Sequence, residues 1–284
     1  MNIEFKYSVI YDLIYHILAQ IKVDNASNLY SEDYVLRWKN DSRNSIYDKA
    51  KHLSKYYNEN FERLGIINFI PCYCSSLSEF KNALLTYPSF TENDKKMFVS
   101  SLIEIIDSEN VYYNEYWLQL YKNSEKEREK IERWIKTEFN KYEVFFSFFN
   151  KPVNVCFSYS LTRNGRGYFK ENSFNAVVPF EFEESKYYNA FYQALHEITH
   201  QLTDEIIGTD IKMNDGTHDI SENSVILFDY YLIKKMNFQN INSYLKWANT
   251  FVKADCSDEE SFFNCFAVED SIKEKLMGLL NKIL

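Results

Sequence analysis

His196-Glu197-Ile198-Thr199-His200-Gln201-Leu202-Thr203-Asp204 is the stretch around which the chain is read, because it places H-E-x-x-H inside a segment with helical periodicity. On an α-helix, residues four apart lie one above the other, so both imidazoles project from one face toward a common point. Neutral imidazole nitrogen suits a zinc ion, and catalytic zinc sites combine three protein ligands with a water. Glu197 follows the first histidine and can serve as general base toward that water. Tyr188, Phe191, Leu195, Ile198, Leu202 and Ile206 recur at a spacing of three to four, an apolar stripe that should face the core. His196, His200, Gln193 and Asp204 fall on the polar flank beside it. The helix is expected from about Glu184-Ser185 to Gly208, a natural terminator.

Upstream, the texture changes at Asn150-Lys151-Pro152. Val153 to Ser160 alternates like a strand, and Asn164-Gly165-Arg166-Gly167 is a turn signal. Gly167 to Lys170 and Phe174 to Phe180 read as further strands. Pro179 near the end of the last run suits an edge strand better than a central one. Residues 1–149 read differently, as helices over 7–22, 44–63, 76–86, 92–106, 109–122 and 125–148. Ile66 to Cys74 is a strand or a buried connector. The expected fold class is therefore α+β and mostly helical: a helical region, 1–149, then a core, 150–284, with a small sheet, the motif helix and another helix.

That last helix begins around His218-Asp219-Ile220-Ser221-Glu222 and continues through Val225 to Ile233, with Ser221 or Asp219 as its cap. Glu222 in its first turn would complete a His₂Glu ligand set, one of the known catalytic zinc arrangements. His218, Asp204, Asp210 and Asp219 are the other candidates for third ligand. His218, Tyr230 or Tyr231 could instead donate to a developing oxyanion. Asp204 and Asp229 are candidate acceptors for the imidazole N–H groups.

Composition bounds the partners. Of 284 residues only six are Gly and four Pro, and 23 Tyr with 23 Phe point to an aromatic core. A net charge of −9 argues against a nucleic-acid partner held through phosphates. The apolar stripe of residues 1–22 is interrupted by Asp12 and His16, so it reads neither as a signal peptide nor as a membrane span. Five cysteines without a C-x-x-C pair read as reduced, mostly buried thiols of a cytoplasmic protein.

Residues 196–204 with Gly208 resemble the gluzincin branch of the zincin metallopeptidases, locally the H-E-L-T-H-x-V-T-D…G segment of thermolysin-like enzymes. The resemblance implies one zinc ion per chain on His196, His200 and a downstream helical Glu, here Glu222, with Glu197 as general base and a peptide or protein as substrate. It also implies a zincin-like sheet whose last edge strand, here Asn175 to Val178, holds extended substrate by strand addition. Thermolysin-like enzymes carry an Asp four residues after the ligand Glu, where this chain has Ile226. Two alternative expectations keep the same scaffold: a non-catalytic binding protein, or another zinc-dependent amide hydrolase.

Overall fold

The computed structural model describes residues 3–21, 32–39, 46–149, 151–162, 164–207, 217–252, 255–256 and 258–284. Four strands run β1 (Ile3–Tyr7), β2 (Val153–Ser158), β3 (Arg166–Lys170) and β4 (Ser173–Pro179). Before β2 lie α1 (Val9–Ala19), α2 (Glu32–Lys39), α3 (Ile46–Glu59), α4 (Phe61–Leu64), α5 (Ile70–Tyr73), α6 (Leu77–Thr86), α7 (Glu92–Asp94), α8 (Ser100–Asn123), α9 (Glu125–Asn140) and α10 (Glu143–Phe149). After β4 come α11 (Tyr187–Ile207), α12 (Thr217–Met236), α13 (Ile241–Ala248), α14 (Glu259–Cys265) and α15 (Asp270–Ile283). The mostly helical α+β class read from the sequence is the observed one.

The sheet order is β1-β2-β4-β3. β2 and β4 run parallel with Val153 opposite Phe174, and β3 closes on β4 as an antiparallel hairpin with Arg166 opposite Val177. Glu171 and Asn172, both at positive φ, form its two-residue turn. Two expectations are corrected here. β4 is an interior strand paired on both sides, so Asn175 to Val178 offers no free edge; Pro179 is tolerated because it is the last residue of the strand. The start of the chain is also not purely helical. Ile3-Glu4-Phe5-Lys6-Tyr7 alternates with period two and pairs parallel with β2, Ile3 opposite Val153.

Alternation splits the sheet between two layers. Val153, Val155, Phe157, Phe174, Ala176 and Val178 pack into a core with Phe191, Leu195 and Ile198 of α11, joined by Ile131, Ile135 and Phe139 of α9. Cys156, Tyr168 and Val177 face the other way, onto Tyr11 and Tyr15 of α1. A separate cluster gathers α1, α3, α6 and α8 through Leu13, Ile17, Leu53, Phe80, Leu102 and Ile106. The helices expected over 92–106 and 109–122 are one run, entered through the Thr91–Asp94 capping box and a π-helical turn at Lys95–Val99. Between the layers, buried Asp12 accepts from Trp117 Nε1 at 2.7 Å, from the Tyr159 amide at 3.2 Å and from Ser158 Oγ. Burial raises the Asp12 carboxyl to about 6 despite these donors.

Cys256 and Cys265 form a disulfide, with Cα atoms 6.5 Å apart, while Cys72, Cys74 and Cys156 are free. The expectation of five reduced thiols is thus corrected for two of them: α14 ends at Cys265 and folds back on the segment that carries Cys256. Among the described residues, no helix is long and apolar enough to cross a membrane.

Candidate metal centre

α11 contains neither Gly nor Pro, and its apolar stripe from Tyr188 to Leu202 packs into the core as the periodicity predicts; the side chain of Ile206 lies outside the described residues. Leu195 and Ile198 are fully buried, each contributing roughly 1.5–3 kcal/mol by burial alone. That anchoring fixes the rotation of the helix about its axis, and so fixes where the histidine flank points. α12 packs against it and begins by Thr217, earlier than expected, so neither Asp219 nor Ser221 caps it and Glu222 lies in its second turn.

The side chains converge as the H-E-x-x-H spacing requires. His196 Nε2 and His200 Nε2 are 3.1 Å apart; Glu222 Oε2 is 3.1 Å from the first and Oε1 is 3.3 Å from the second. Among the described residues, these three form the group of His, Cys, Asp and Glu whose ligand atoms all fall within 4.8 Å of one another. A first-row divalent ion held at about 2.0–2.1 Å in a tetrahedral field places its ligand atoms about 3.3–3.4 Å apart, close to the spacing found. Without a cation, each imidazole can donate to one oxygen of Glu222, but two N–H groups are then forced within 3.1 Å of each other. A cation at the common point removes that conflict. The residues present therefore fit a metal ion. Burial alone would raise the Glu222 carboxyl, but the hydrogen bonds from His196 and His200 outweigh it and hold the group well below the usual range.

Behind the first imidazole stands Asp229, fully buried on α12. Its Oδ1 accepts from Thr199 Oγ1 at 2.7 Å. Its Oδ2 lies 3.9 Å from His196 Nδ1, and both of these buried atoms lack a hydrogen-bond partner. They are the natural counterparts of each other once Nε2 is engaged and the proton resides on Nδ1. Burial raises the Asp229 carboxyl to about 7, against the lowering effect of His196 and Thr199. The second imidazole has its own contact, Ser221 Oγ at 3.3 Å from His200 Nδ1. The rings of Trp247 and Phe251 each stand 5.7 Å from the His196 ring and wall it on the α13 side.

Glu197 is partly buried and turns toward β3. Its Oε1 accepts from Gln193 Nε2 at 2.8 Å. Gly165 and Gly167 are the glycines read from sequence only as a turn; the reason for them is close approach. A Cβ at Gly165 would stand 2.6 Å from Glu197 Cγ, and one at Gly167 would stand 2.6 Å from the Glu197 carbonyl oxygen. β3, the edge strand, thus lies directly against the motif helix.

The structure brings His196, His200 and Glu222 together and sets Asp229 beside His196. It does not bring in Tyr230 or Tyr231. The Tyr230 hydroxyl receives Lys234 Nζ at 2.8 Å and its ring packs on Phe262, while Tyr231 stacks on Phe263. Asp210 and the side chains of Asp204, His218 and Asp219 lie outside the described residues. Comparison with known proteins returned no matching family model, no matching curated protein and no matching solved structure.

Proposed function

We propose that the chain is a zinc-dependent metallopeptidase. The observation that carries the reading is the triangle of His196 Nε2, His200 Nε2 and the Glu222 carboxylate, with edges of 3.1–3.3 Å, on a helix that also bears Glu197 beside the first histidine. His196, His200 and Glu222 would hold one zinc ion per chain, a donor set typical of catalytic zinc. When bound, zinc supplies Lewis acidity toward a carbonyl and lowers the pKa of water to about 7.

The rest falls to side chains of this protein. Glu197 accepts a proton from the water that attacks the scissile carbonyl carbon, and returns it to the amine as the C–N bond breaks. Asp229 holds His196 in the tautomer that keeps Nε2 unprotonated and aimed at the ligand point. Among the described residues β3 is an edge strand of the sheet and lies against Glu197, which supports an extended peptide as substrate. The Cys256–Cys265 bridge bears on compartment, and favours an oxidising one over the cytoplasm expected from sequence.

Cleavage of fluorescein-labelled casein tests the reading. Activity is expected to require zinc, to vanish with a chelator and return on zinc addition, and to be lost in Glu197→Gln while metal content stays at one per chain. Turnover that survives chelation, or survives Glu197→Gln, refutes it.

A further inference from the structure

We propose that Gln193 and Gly165 are positioning residues for Glu197, which they confine together. The inference rests on reading Glu197 as the proton acceptor. A glutamate has three side-chain torsions, and as a base it is effective only when its oxygen is held where the proton is released. Gln193 sits one helical turn earlier on α11, is 5% exposed, and donates from Nε2 to Glu197 Oε1 at 2.8 Å. That bond removes one oxygen from competition. Oε2 accepts no hydrogen bond from the described residues, and so stays free for a water.

The backbone at Gly165, the residue before β3, closes on the same side chain. A Cβ at Gly165 would lie 2.6 Å from Cγ, 2.7 Å from Oε1 and 2.9 Å from Cδ of Glu197, so any side chain there would displace the carboxylate. Cγ is not the free end of the chain and cannot swing clear without moving Oε1 off Gln193. The chemistry of the clamp is also informative. A Lys or Arg in place of Gln193 would pair with the carboxylate and weaken it as a base, whereas an apolar residue would leave it unheld. A neutral amide and a bare peptide together fix the group without quenching it.

The test combines turnover with stability coupling in the full-length chain. Gln193→Leu and Gly165→Ala should each lower kcat on labelled casein about 10- to 100-fold, a part of the roughly 10²–10⁴-fold that a general base supplies. KM should stay within about two-fold and metal per chain should be unchanged. Independently of activity, each substitution should lower the unfolding midpoint by about 2–4 °C when Glu197 is present, and by less than a third of that in a Glu197→Ala background. Additive effects in both cycles overturn the proposal, as does wild-type kcat in both variants. Failure of the wild type to cleave casein counts against the peptidase reading alone, and the two cycles still decide whether Glu197 is clamped.

Discussion

Replacing Glu222 with alanine isolates the ligand whose identity was least fixed by its motif. The carboxylate brings the one formal negative charge of the triangle, its two oxygens 3.1 and 3.3 Å from the imidazole nitrogens. Structural zinc sites with four protein ligands bind with about 10–16 kcal/mol, or roughly 2.5–4 kcal/mol per ligand. Losing one should raise Kd roughly 10²–10³-fold. A metal present at 100 times Kd stabilises the folded state by about 2.7 kcal/mol, through RT ln(1 + [L]/Kd). If Kd rises a hundredfold, the same concentration yields RT ln 2, about 0.4 kcal/mol. For a chain of 284 residues, at roughly 2 °C per kcal/mol, the zinc-induced rise in unfolding midpoint should fall from about 5 °C to under 1 °C.

Scanning fluorimetry on chelator-stripped protein, with zinc titrated back, reads this directly. Each variant is compared with its own metal-free midpoint, because removing a carboxylate from between two histidines changes that baseline too. Zinc capture by Cys72, Cys74 and Cys156 in the unfolded chain reduces the shift equally in both proteins. An undiminished shift in Glu222→Ala would place the metal elsewhere and dissolve the His₂Glu assignment.

Asp229→Asn should weaken zinc about 10- to 100-fold in competition with a chromogenic chelator, since an amide orients His196 Nδ1–H less strongly than a carboxylate; equal affinity would detach Asp229 from the site. Asp12 sets a pH dependence far from the metal. Its carboxyl is raised to about 6 in the fold against about 3.9 unfolded, so the folded state binds the extra proton and stability contributed here falls as pH rises through that window. The penalty is about 3 kcal/mol above pH 6 and absent below pH 4. The stability advantage of wild type over Asp12→Asn, from urea unfolding, should therefore be greater at pH 4 than at pH 7, and a pH-independent difference contradicts it. Gly167→Ala pushes a Cβ to 2.6 Å from a backbone oxygen, which must separate β3 from α11; a loss of about 1–3 kcal/mol in urea is expected, and an unchanged midpoint would refute the close approach.

What could be read without a structure divides along the range of the interactions involved. His196, Glu197 and His200 are local: the helix alone carries both imidazoles to one face, and no tertiary fact is needed. Glu222 was reachable because a carboxylate opening the next apolar helix has few places to go. The strand Ile3–Tyr7 had a legible signal, its period-two alternation, but the apolar stripe that follows in α1 masked it. The interior place of β4 had none. β3 pairs with it through the hairpin, but β2 pairs with it in parallel, Val153 opposite Phe174, and a parallel pairing leaves no turn signal between its strands; β1 then joins β2 across 150 positions, Ile3 opposite Val153.

Asp229 was legible from its place on the same helix face as Glu222, although the resemblance puts its Asp four residues after the ligand Glu, where this chain has Ile226. Seven residues is close to two helical turns, so Asp229 returns to the face of α12 that carries Glu222, two turns further along. From there its Oδ2 meets His196 Nδ1 at 3.9 Å, while Ile226 is left to the core. The helix can supply a carboxylate to that imidazole from either spacing, provided the crossing of α11 and α12 brings the later turn alongside. The crossing is set by buried side chains such as Leu195, Ile198, Leu227 and Phe228, whose contacts carry no signature in the order of residues. Spacing within α12 therefore puts Asp229 on the face of Glu222, while its approach to His196 depends on how α11 packs against α12.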